Sequence, residues 1–313
     1  MALLDETAEG VYVIAATPFE VDGALDLPSV DRMIDFYLAR GANGLTLLGV
    51  MGEAPKLTAE ESRAFLSRAL GRIAGRVPAI VGVSAPGLAP MREMASSAMD
   101  LGAAGVMVAP AGHLRTDDQI FGYFEGVAES LGAIPFVLQD YPLATGVQIA
   151  PATILRIVAA LPTCKMLKHE DWPGLSKISA LRAADAKGAR RVSILTGNGG
   201  LFLPEELARG ADGAMTGFAF PEMMVGVVAA HRAGDFDLAQ DVFDAYLPLA
   251  RYEQQQGVGL AARKHILARR GAIASPALRR PGAALSAADV ADIERLIARQ
   301  SRRLAELGLP TTG

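Results

Sequence analysis

Lys165-Met166-Leu167-Lys168-His169-Glu170 is the stretch on which the prediction of the fold depends. The apolar pair Met166-Leu167 comes directly before Lys168, so this lysine lies where a buried strand should end. The next three residues are all ionisable. In an α/β barrel, the carboxyl ends of the strands form the face that carries the chemistry. The stretch therefore predicts a reactive rim at Lys168.

Seven similar runs occur elsewhere in the chain, each short, rich in Val, Ile, Leu or Met, and bounded by Gly, Pro or polar residues. This pattern predicts strands. Continuous apolar character is typical of strands buried on both faces, as in a parallel sheet. The predicted strands are Val11–Ala16, Leu45–Gly49, Ala79–Val83, Val106–Ala109, Pro135–Gln139, Lys165–Lys168, Val192–Thr196 and Gly213–Thr216.

Amphipathic segments separate these strands. Leu27–Ala39 has the 3.6-residue apolar spacing of a helix with one buried face, and Thr58 with Glu61 has the pattern of a capping box. Eight alternating strands and helices predict an α/β fold, the (β/α)8 TIM barrel. An open doubly wound sheet is the alternative, which is disfavoured because no Gly-x-Gly-x-x-Gly motif opens the first helix. Further helix starts are predicted at Asp117, Pro151 and Leu203.

The pattern changes after Gly234. Asp237–Leu249, Val258–Arg269 and Ala287–Leu307 predict helices with no strands between them. We therefore predict a catalytic barrel domain over residues 1–234 and an appended C-terminal helical region over residues 235–313.

Composition limits the classes of function. The chain has 313 residues, of which 51% are apolar and 20% charged, so it can bury a large core. Its net charge is −4 and it has no block of basic residues, so neither nucleic acid nor a membrane is expected as a partner. No signal peptide and no apolar run of ~18 residues is present. Cys164 is the only cysteine, which fits a reducing, cytoplasmic location.

Lys168 is the strongest candidate for chemistry. An amine in apolar surroundings is more readily deprotonated, and a free amine can attack a carbonyl to form a Schiff base. The alternative is a structural ion pair with Glu170 or Asp171. A metal site is not expected, because adjacent residues of a regular strand cannot all face one ion. No cofactor is predicted.

Three loops after predicted strands add candidates. Gly49-Val50-Met51-Gly52-Glu53 has two glycines that allow a sharp turn whose N–H groups could hold the carboxylate of a 2-oxo acid. Gln139-Asp140-Tyr141 ends the fifth strand with groups for proton transfer. Asn198 lies in a glycine-rich loop that allows close approach of a ligand. A plain turn is the alternative for the first and third loops, and a packed aromatic ring is the alternative for Tyr141.

Together these segments resemble the dihydrodipicolinate synthase / N-acetylneuraminate lyase family of class I aldolase-type barrels. The resemblance spans nearly the whole chain and rests on Thr17-Pro18, the Gly-x-x-Gly-Glu loop and the lysine that follows the Tyr-Pro turn. It implies that Lys168 forms the Schiff base, that Gly49 to Glu53 hold the pyruvyl carboxylate, and that Met215 lines the site near the imine. It also implies a homotetramer or homodimer.

The sequence departs from that family at the positions of its proton relay. Val50 and Met51 replace the hydroxyl residues of the loop, and Gln139 occupies the place of the catalytic tyrosine. Tyr141 is expected to point differently, because strand side chains alternate. Ala144 is the counterpart of the arginine with which the synthase branch grips a dicarboxylic partner.

These departures predict a Schiff-base lyase acting on pyruvate or another 2-oxo acid, as an aldolase, dehydratase or deaminase. Asp140, Tyr141, Glu170, a histidine (His113 or His169) or water would supply the acid–base function. The apolar replacements suggest a less polar substrate tail than a dicarboxylate. The alternatives are an authentic 4-hydroxy-tetrahydrodipicolinate synthase, a non-catalytic carbonyl-binding barrel, and a metal-dependent aldolase or hydrolase.

Overall fold

The predicted strands form a closed parallel barrel in sequence order, with the eighth strand beside the first. The structure is a computed structural model that describes residues 2–172 and 174–311, so the outermost ends of both predicted domains lie outside it. The prediction of a (β/α)8 TIM barrel is confirmed. The strands are β1 (Gly10–Ile14), β2 (Gly44–Leu47), β3 (Ala79–Gly82), β4 (Gly105–Val108), β5 (Phe136–Asp140), β6 (Cys164–His169), β7 (Ser193–Thr196) and β8 (Gly213–Thr216).

Helices follow the strands and surround the barrel. The predicted capping box is present at the second helix, where the Thr58 hydroxyl accepts from the Glu61 backbone N–H at 3.1 Å and the Glu61 carboxylate accepts from the Thr58 N–H at 2.9 Å. The barrel helices are α1 (Leu27–Ala39), α2 (Ala59–Ile73), α3 (Leu88–Asp100), α4 (Asp117–Leu131), α5 (Pro142–Thr145), α6 (Pro151–Ala160), α7 (Leu175–Asp185), α8 (Leu203–Ala208) and α9 (Pro221–Arg232).

The side chains of each strand alternate between two cores. One core fills the inside of the barrel and includes Val137, Met166 and Met215, whereas the other lies between the strands and the helices and includes Leu138 and Leu167. Because Met166 faces inward and Leu167 outward, the next residue, Lys168, faces inward again. The barrel interior thus ends at Lys168 on the β6 side.

Three helices without intervening strands follow the barrel, as predicted. They are α10 (Phe236–Glu253), α11 (Gly259–Arg269) and α12 (Ala287–Glu306). α10 packs against both α9 and α12, so the helical region is joined to the last barrel helix. The division into two domains at residue 234 stays a prediction.

Two further features concern the cysteine and the lengths of the helices. Cys164 is a buried free thiol at the start of β6. Of the helices in the described part of the chain, none is both long enough and apolar enough to cross a bilayer.

Glu206, on α8, is a buried carboxyl group behind β7. Its burial raises its pKa from 4.5 to about 7, although a hydrogen bond with Thr196 and the charge of His169 oppose the shift. The folded chain therefore keeps the Glu206 proton at pH values at which the unfolded chain has lost it. The resulting contribution to stability is complete below pH 4.5 and is lost as the pH rises through about 7.

We predict that Glu206→Gln changes the pH dependence of stability. Between pH 5 and pH 8, the free energy of unfolding of the variant should gain about 2–3 kcal/mol relative to that of the unaltered chain, because the glutamine never has to carry a buried charge. Urea denaturation at both pH values measures this difference. Glu129→Gln, at an exposed position of α4, is the control. Parallel pH profiles for Glu206→Gln and the unaltered chain would contradict the assignment.

Candidate active site

Lys168 lies near the carboxyl end of β6, with its side chain toward the barrel interior. It is almost completely buried, with 5% of its surface exposed. Its Nζ atom is 2.9 Å from Oε2 of Glu170. On the neighbouring strand β5, Gln139 is its partner in the register. The ion pair that the sequence offered as an alternative to chemistry is therefore present, and it lies at the wall of a cavity.

This cavity opens at the carboxyl ends of the strands and is partly open to solvent. Seven of the residues proposed from the sequence line it: Val50, Met51, Gln139, Tyr141, Lys168, Glu170 and Asn198. Five residues that the sequence had not indicated complete the lining: Ile14, Thr216, Gly217, Gln254 and Arg263. The cavity lies where a TIM barrel carries its active site.

Glu170 is held in place by its neighbours. Its Oε2 atom accepts a hydrogen bond from Nε2 of Gln139 at 2.7 Å as well as contacting Lys168. The Asn198 side-chain amide donates to the Glu170 backbone carbonyl at 3.2 Å. Gly197 leaves room for this arrangement, since a Cβ atom there would lie 2.2 Å from Cγ of Glu170. A carboxylate fixed this close to an amine can exchange a proton with it.

Tyr141 and Gln139 both face the cavity, so the expectation that they point differently was wrong. Residues two positions apart in an extended chain share a face, and Tyr141 lies just beyond β5 at the start of α5. Burial raises the pKa of Tyr141; the charge of Glu170 raises it further, and Arg263 opposes both effects. The phenol is therefore protonated at neutral pH and can act as a hydrogen-bond donor to a ligand.

Asp140 does not reach the cavity, so its assignment as a catalytic group needs correction. It is the residue between Gln139 and Tyr141, so its side chain lies on the outer face of the barrel wall. Its Oδ2 atom accepts from Nζ of Lys177 at 2.8 Å and lies 3.4 Å from Nδ1 of His169. Both Asp140 and His169 are buried behind the strands.

Only some side chains of the loop that follows β2 line the cavity. Val50 and Met51 line the cavity, whereas the side chain of Glu53 turns away from it. Oε1 of Glu53 accepts from Nζ of Lys264 at 2.6 Å, and Oε2 accepts from Nζ of Lys56 at 2.9 Å. Glu53 thus ties the loop to the C-terminal region, and the expectation that Gly49 to Glu53 hold the pyruvyl carboxylate stays a prediction.

The glycines of this loop and Met215 are not among the residues that line the cavity. The Gly52 carbonyl accepts from the Thr17 hydroxyl at 2.5 Å, and a Cβ atom at Gly49 would lie 3.3 Å from the Ile14 side chain. Met215 is fully buried in the core inside the barrel, next to Thr216, which lines the cavity. The placement of Met215 in the cavity lining is thus corrected to a position beneath it.

Arg263 reaches the cavity from α11 in the C-terminal region. Only 1% of its surface is exposed, and its guanidinium is held by Glu253, which pairs with Nε, and by the Gly217 carbonyl, which accepts from Nη2. Helical periodicity does not show which face of α11 meets the barrel. The available signal was the pair of adjacent basic residues, Arg263 and Lys264, directly after Ala261-Ala262.

The arrangement of charged residues is not that of a metal centre. Within residues 2–172 and 174–311, no group of three or more His, Cys, Asp and Glu side chains is positioned to hold a metal ion. The charges around Lys168 are instead those of an amine–carboxylate pair.

Comparison with known proteins places this cavity in a family. The model of the Dihydrodipicolinate synthetase family matches residues 7–300. The chain belongs to this family. The predicted function is confirmed at the level of this family, whose members are class I pyruvate-dependent lyases.

Individual relatives of the chain carry different activities in their names. An L-2-keto-3-deoxyarabonate dehydratase of Azospirillum brasilense is 32% identical, over 87% of this chain and 88% of its own. A 4-hydroxy-tetrahydrodipicolinate synthase of Kosmotoga olearia is 31% identical, over 77% of this chain and 82% of its own. A crystal structure described as dihydrodipicolinate synthase from Rhodopseudomonas palustris is 52% identical, covers 96% of this chain and 100% of its own, and superposes with a TM-score of 0.94.

The departures from the dihydrodipicolinate synthase pattern concern the cavity itself. At the positions where the sequence analysis expects departures, Val50 and Met51 present apolar side chains to the cavity and Gln139 contacts Glu170. Ala144 is exposed on α5. The amine is thus present, but the groups around it differ from those of the synthase branch.

We predict that Gly197→Ala disrupts the site while leaving the fold intact. The added Cβ would lie 2.2 Å from Cγ of Glu170, so the carboxylate must move away from Nζ of Lys168. Because misplacing a reacting group by ~1 Å can cost ~10²-fold in rate, the reaction of Lys168 with a carbonyl compound should slow by roughly that factor.

A crystal structure of the variant and the rate of borohydride trapping measure these two effects. The control is Gly71→Ala, because a Cβ atom at Gly71 has no neighbour within 4 Å. An unchanged trapping rate in Gly197→Ala would show that the position of Glu170 is unimportant.

Proposed function

We propose that this chain forms a Schiff base between Lys168 and the carbonyl carbon of a 2-oxo acid. The observation that carries the proposal is the buried Lys168–Glu170 pair, with 2.9 Å between Nζ and Oε2, at a cavity on the carboxyl-end face of the barrel. Membership of the family supports it, because Lys168 matches the family's imine-forming lysine.

Glu170 is the proposed proton acceptor for the first step. Its carboxylate takes a proton from the Lys168 ammonium, which leaves a free amine that attacks the carbonyl carbon of the substrate. The carbonyl oxygen then leaves as water, with one proton from the attacking nitrogen and the other returned by Glu170. The resulting iminium ion withdraws electrons from the neighbouring carbon, so a proton or a carbon substituent there can be removed.

The second step decides the kind of lyase, and we propose dehydration or aldol cleavage. In a dehydration, Glu170, again a carboxylate after the first step, takes a proton from C3 of the imine to give an enamine. The electron pair of the enamine then expels the C4 hydroxyl group, which leaves as water when it receives a proton. Tyr141 is the proposed donor of a proton to the leaving oxygen, because it is a protonated phenol at the cavity wall. The dehydratase relative, matched over most of both chains, supports this direction.

The synthase of lysine biosynthesis is the second candidate. It is favoured by the 52% identical crystal structure that bears this name. It would require condensation of pyruvate with aspartate semialdehyde without a tyrosine at position 139 or an arginine at position 144. Loss of a positioned acid–base group costs ~10²–10⁴-fold in rate, which disfavours this candidate.

Two expectations from the sequence stay predictions: a homotetramer or homodimer as the assembled form, and a cytoplasmic location.

We predict that borohydride in the presence of pyruvate traps a covalent adduct on Lys168. Intact-mass and peptide mass spectrometry would locate the adduct. Lys168→Ala should abolish it, since no other amine lines the cavity in the described part of the chain. Lys165→Ala is the matched control, because Lys165 lies on the same strand but pairs with Glu6 at 3.0 Å on the far side of the barrel.

The same experiment separates the other classes of function. A chelator should leave trapping and turnover unchanged, whereas a metal-dependent aldolase or hydrolase would lose its activity. An adduct without any product would favour a carbonyl-binding barrel. The absence of an adduct with pyruvate and larger 2-oxo acids would refute the imine mechanism.

We predict that the chain dehydrates or cleaves a 3-deoxy-2-oxo sugar acid faster than it condenses pyruvate with aspartate semialdehyde. The difference in kcat/KM should be roughly 10²–10⁴-fold, because the relay groups of the synthase are missing. Product analysis by mass spectrometry with both substrate sets measures it. Gln139→Tyr should raise the condensation rate if the missing phenol is the cause. Efficient condensation by the unaltered chain would instead establish the synthase.

A further inference from the structure

Arg263 carries a buried hydrogen-bond donor that the fold does not use. Glu253 pairs with Nε and the Gly217 carbonyl accepts from Nη2, so the guanidinium has a fixed orientation. Among the residues that the structure describes, Nη1 has no hydrogen-bond partner and is not accessible to solvent. Leaving such a donor unpaired costs free energy, more so when it is charged.

Gly217, directly after β8, leaves the space that Nη1 of Arg263 occupies. A Cβ atom at Gly217 would lie 2.2 Å from Nη1, so no larger residue fits at this position with Arg263 in its present place. Both Gly217 and Arg263 line the cavity that contains Lys168. Because Gly217 has no side chain, the guanidinium of Arg263 fits in the wall of the cavity.

Gln254 repeats this pattern with a second donor. It lies at the C-terminal end of α10, and its Nε2 atom is buried without a partner in the described part of the chain. A Cβ atom at Gly199 would lie 2.3 Å from Nε2, so a glycine again makes room for the donor. Gln254 lines the same cavity as Arg263. Two residues of the C-terminal region that line one cavity thus each carry a buried donor without a partner in the described part of the chain.

The geometry of these donors suits an anionic acceptor, although the charged side chains around the cavity are already paired. Lys168 forms an ion pair with Glu170, and Arg263 forms one with Glu253. A carboxylate has two oxygens and can accept from the guanidinium and the amide together. Arginine has the planar geometry that suits such an acceptor.

We infer that Arg263 and Gln254 bind a carboxylate group of the substrate. The inference rests on the proposed function and concerns the same cavity. The carboxylate is either the one next to the reacting carbonyl or one at the far end of the substrate. In both cases, these side-chain donors come from the C-terminal region and add to the expected backbone N–H groups of Gly49 to Glu53, because Val50, Met51 and Ala144 provide no side-chain donor.

The test uses carboxylates that cannot form an imine. Isothermal titration of the full chain with lactate and with succinate measures carboxylate binding without a reactive carbonyl. The variants are Gln254→Met and the double variant Glu253→Gln/Arg263→Met, which does not leave a buried carboxylate without its counter-ion. Arg270→Met is the control, because Arg270 is also buried but pairs with Glu222 at 2.6 Å and does not line the cavity.

The inference predicts that both variants bind carboxylate more weakly, by roughly 10- to 100-fold for the double variant and less for Gln254→Met, while Arg270→Met is unchanged. Weaker binding of both probes assigns the donors to the carboxylate beside the carbonyl. Weaker binding of succinate alone assigns them to the far end.

Equal affinities in all folded variants, or no binding of either probe to the unaltered chain, would overturn the inference. If the double variant fails to fold by circular dichroism, Gln254→Met and Gly217→Ala, which displaces Nη1, provide the same test. Borohydride trapping is independent of these titrations. Carboxylate binding that depends on Arg263 but occurs without an adduct on Lys168 would refute the imine proposal alone.

Discussion

The two-residue alternation of strands in a closed parallel barrel determines which side chains meet at the site. On β6, Met166 and Lys168 face the interior while Leu167 and His169 face the helices. The register between β5 and β6 places Gln139 beside Lys168 and Asp140 beside His169. The barrel wall therefore separates two sets of polar residues that are adjacent in sequence, one at the cavity and one behind it.

Buried ion pairs then fix the parts of the site relative to one another. Lys168–Glu170, Lys177–Asp140, Lys264–Glu53 and Arg263–Glu253 each join a buried cation to a buried carboxylate. Removing one partner of such a pair leaves an uncompensated charge, which is strongly destabilising. Two of these pairs involve the C-terminal helices, since Lys264 holds the loop after β2 and Arg263 reaches β8. The helical region is thus part of the site's construction as well as a packing partner of α9.

Sequence reasoning recovered what depends on local pattern. The strands were found because each is a short apolar run between Gly, Pro or polar residues, and the capping box at Thr58 was found because its two residues are three positions apart. Lys168 stood out because a lysine is unusual at the end of an apolar run. Asp140 was misassigned because a strand sends alternate residues to opposite faces, and the same alternation brings Tyr141 to the cavity together with Gln139.

Arg263 and Gln254 show why the remainder of the site was missed. Both lie more than 80 residues beyond Lys168 in the chain, and helical periodicity alone does not reveal how α10 and α11 sit against the barrel. Their positions depend on the absence of side chains at Gly217 and Gly199, which in the sequence look like ordinary loop glycines. The amine comes from a strand whose geometry the barrel fixes, whereas Arg263 and Gln254, which line the same cavity, come from the C-terminal region. Such a division lets the contacts to the rest of the substrate change without disturbing the strand that positions Lys168, as expected for a fold on which many activities share one kind of chemistry.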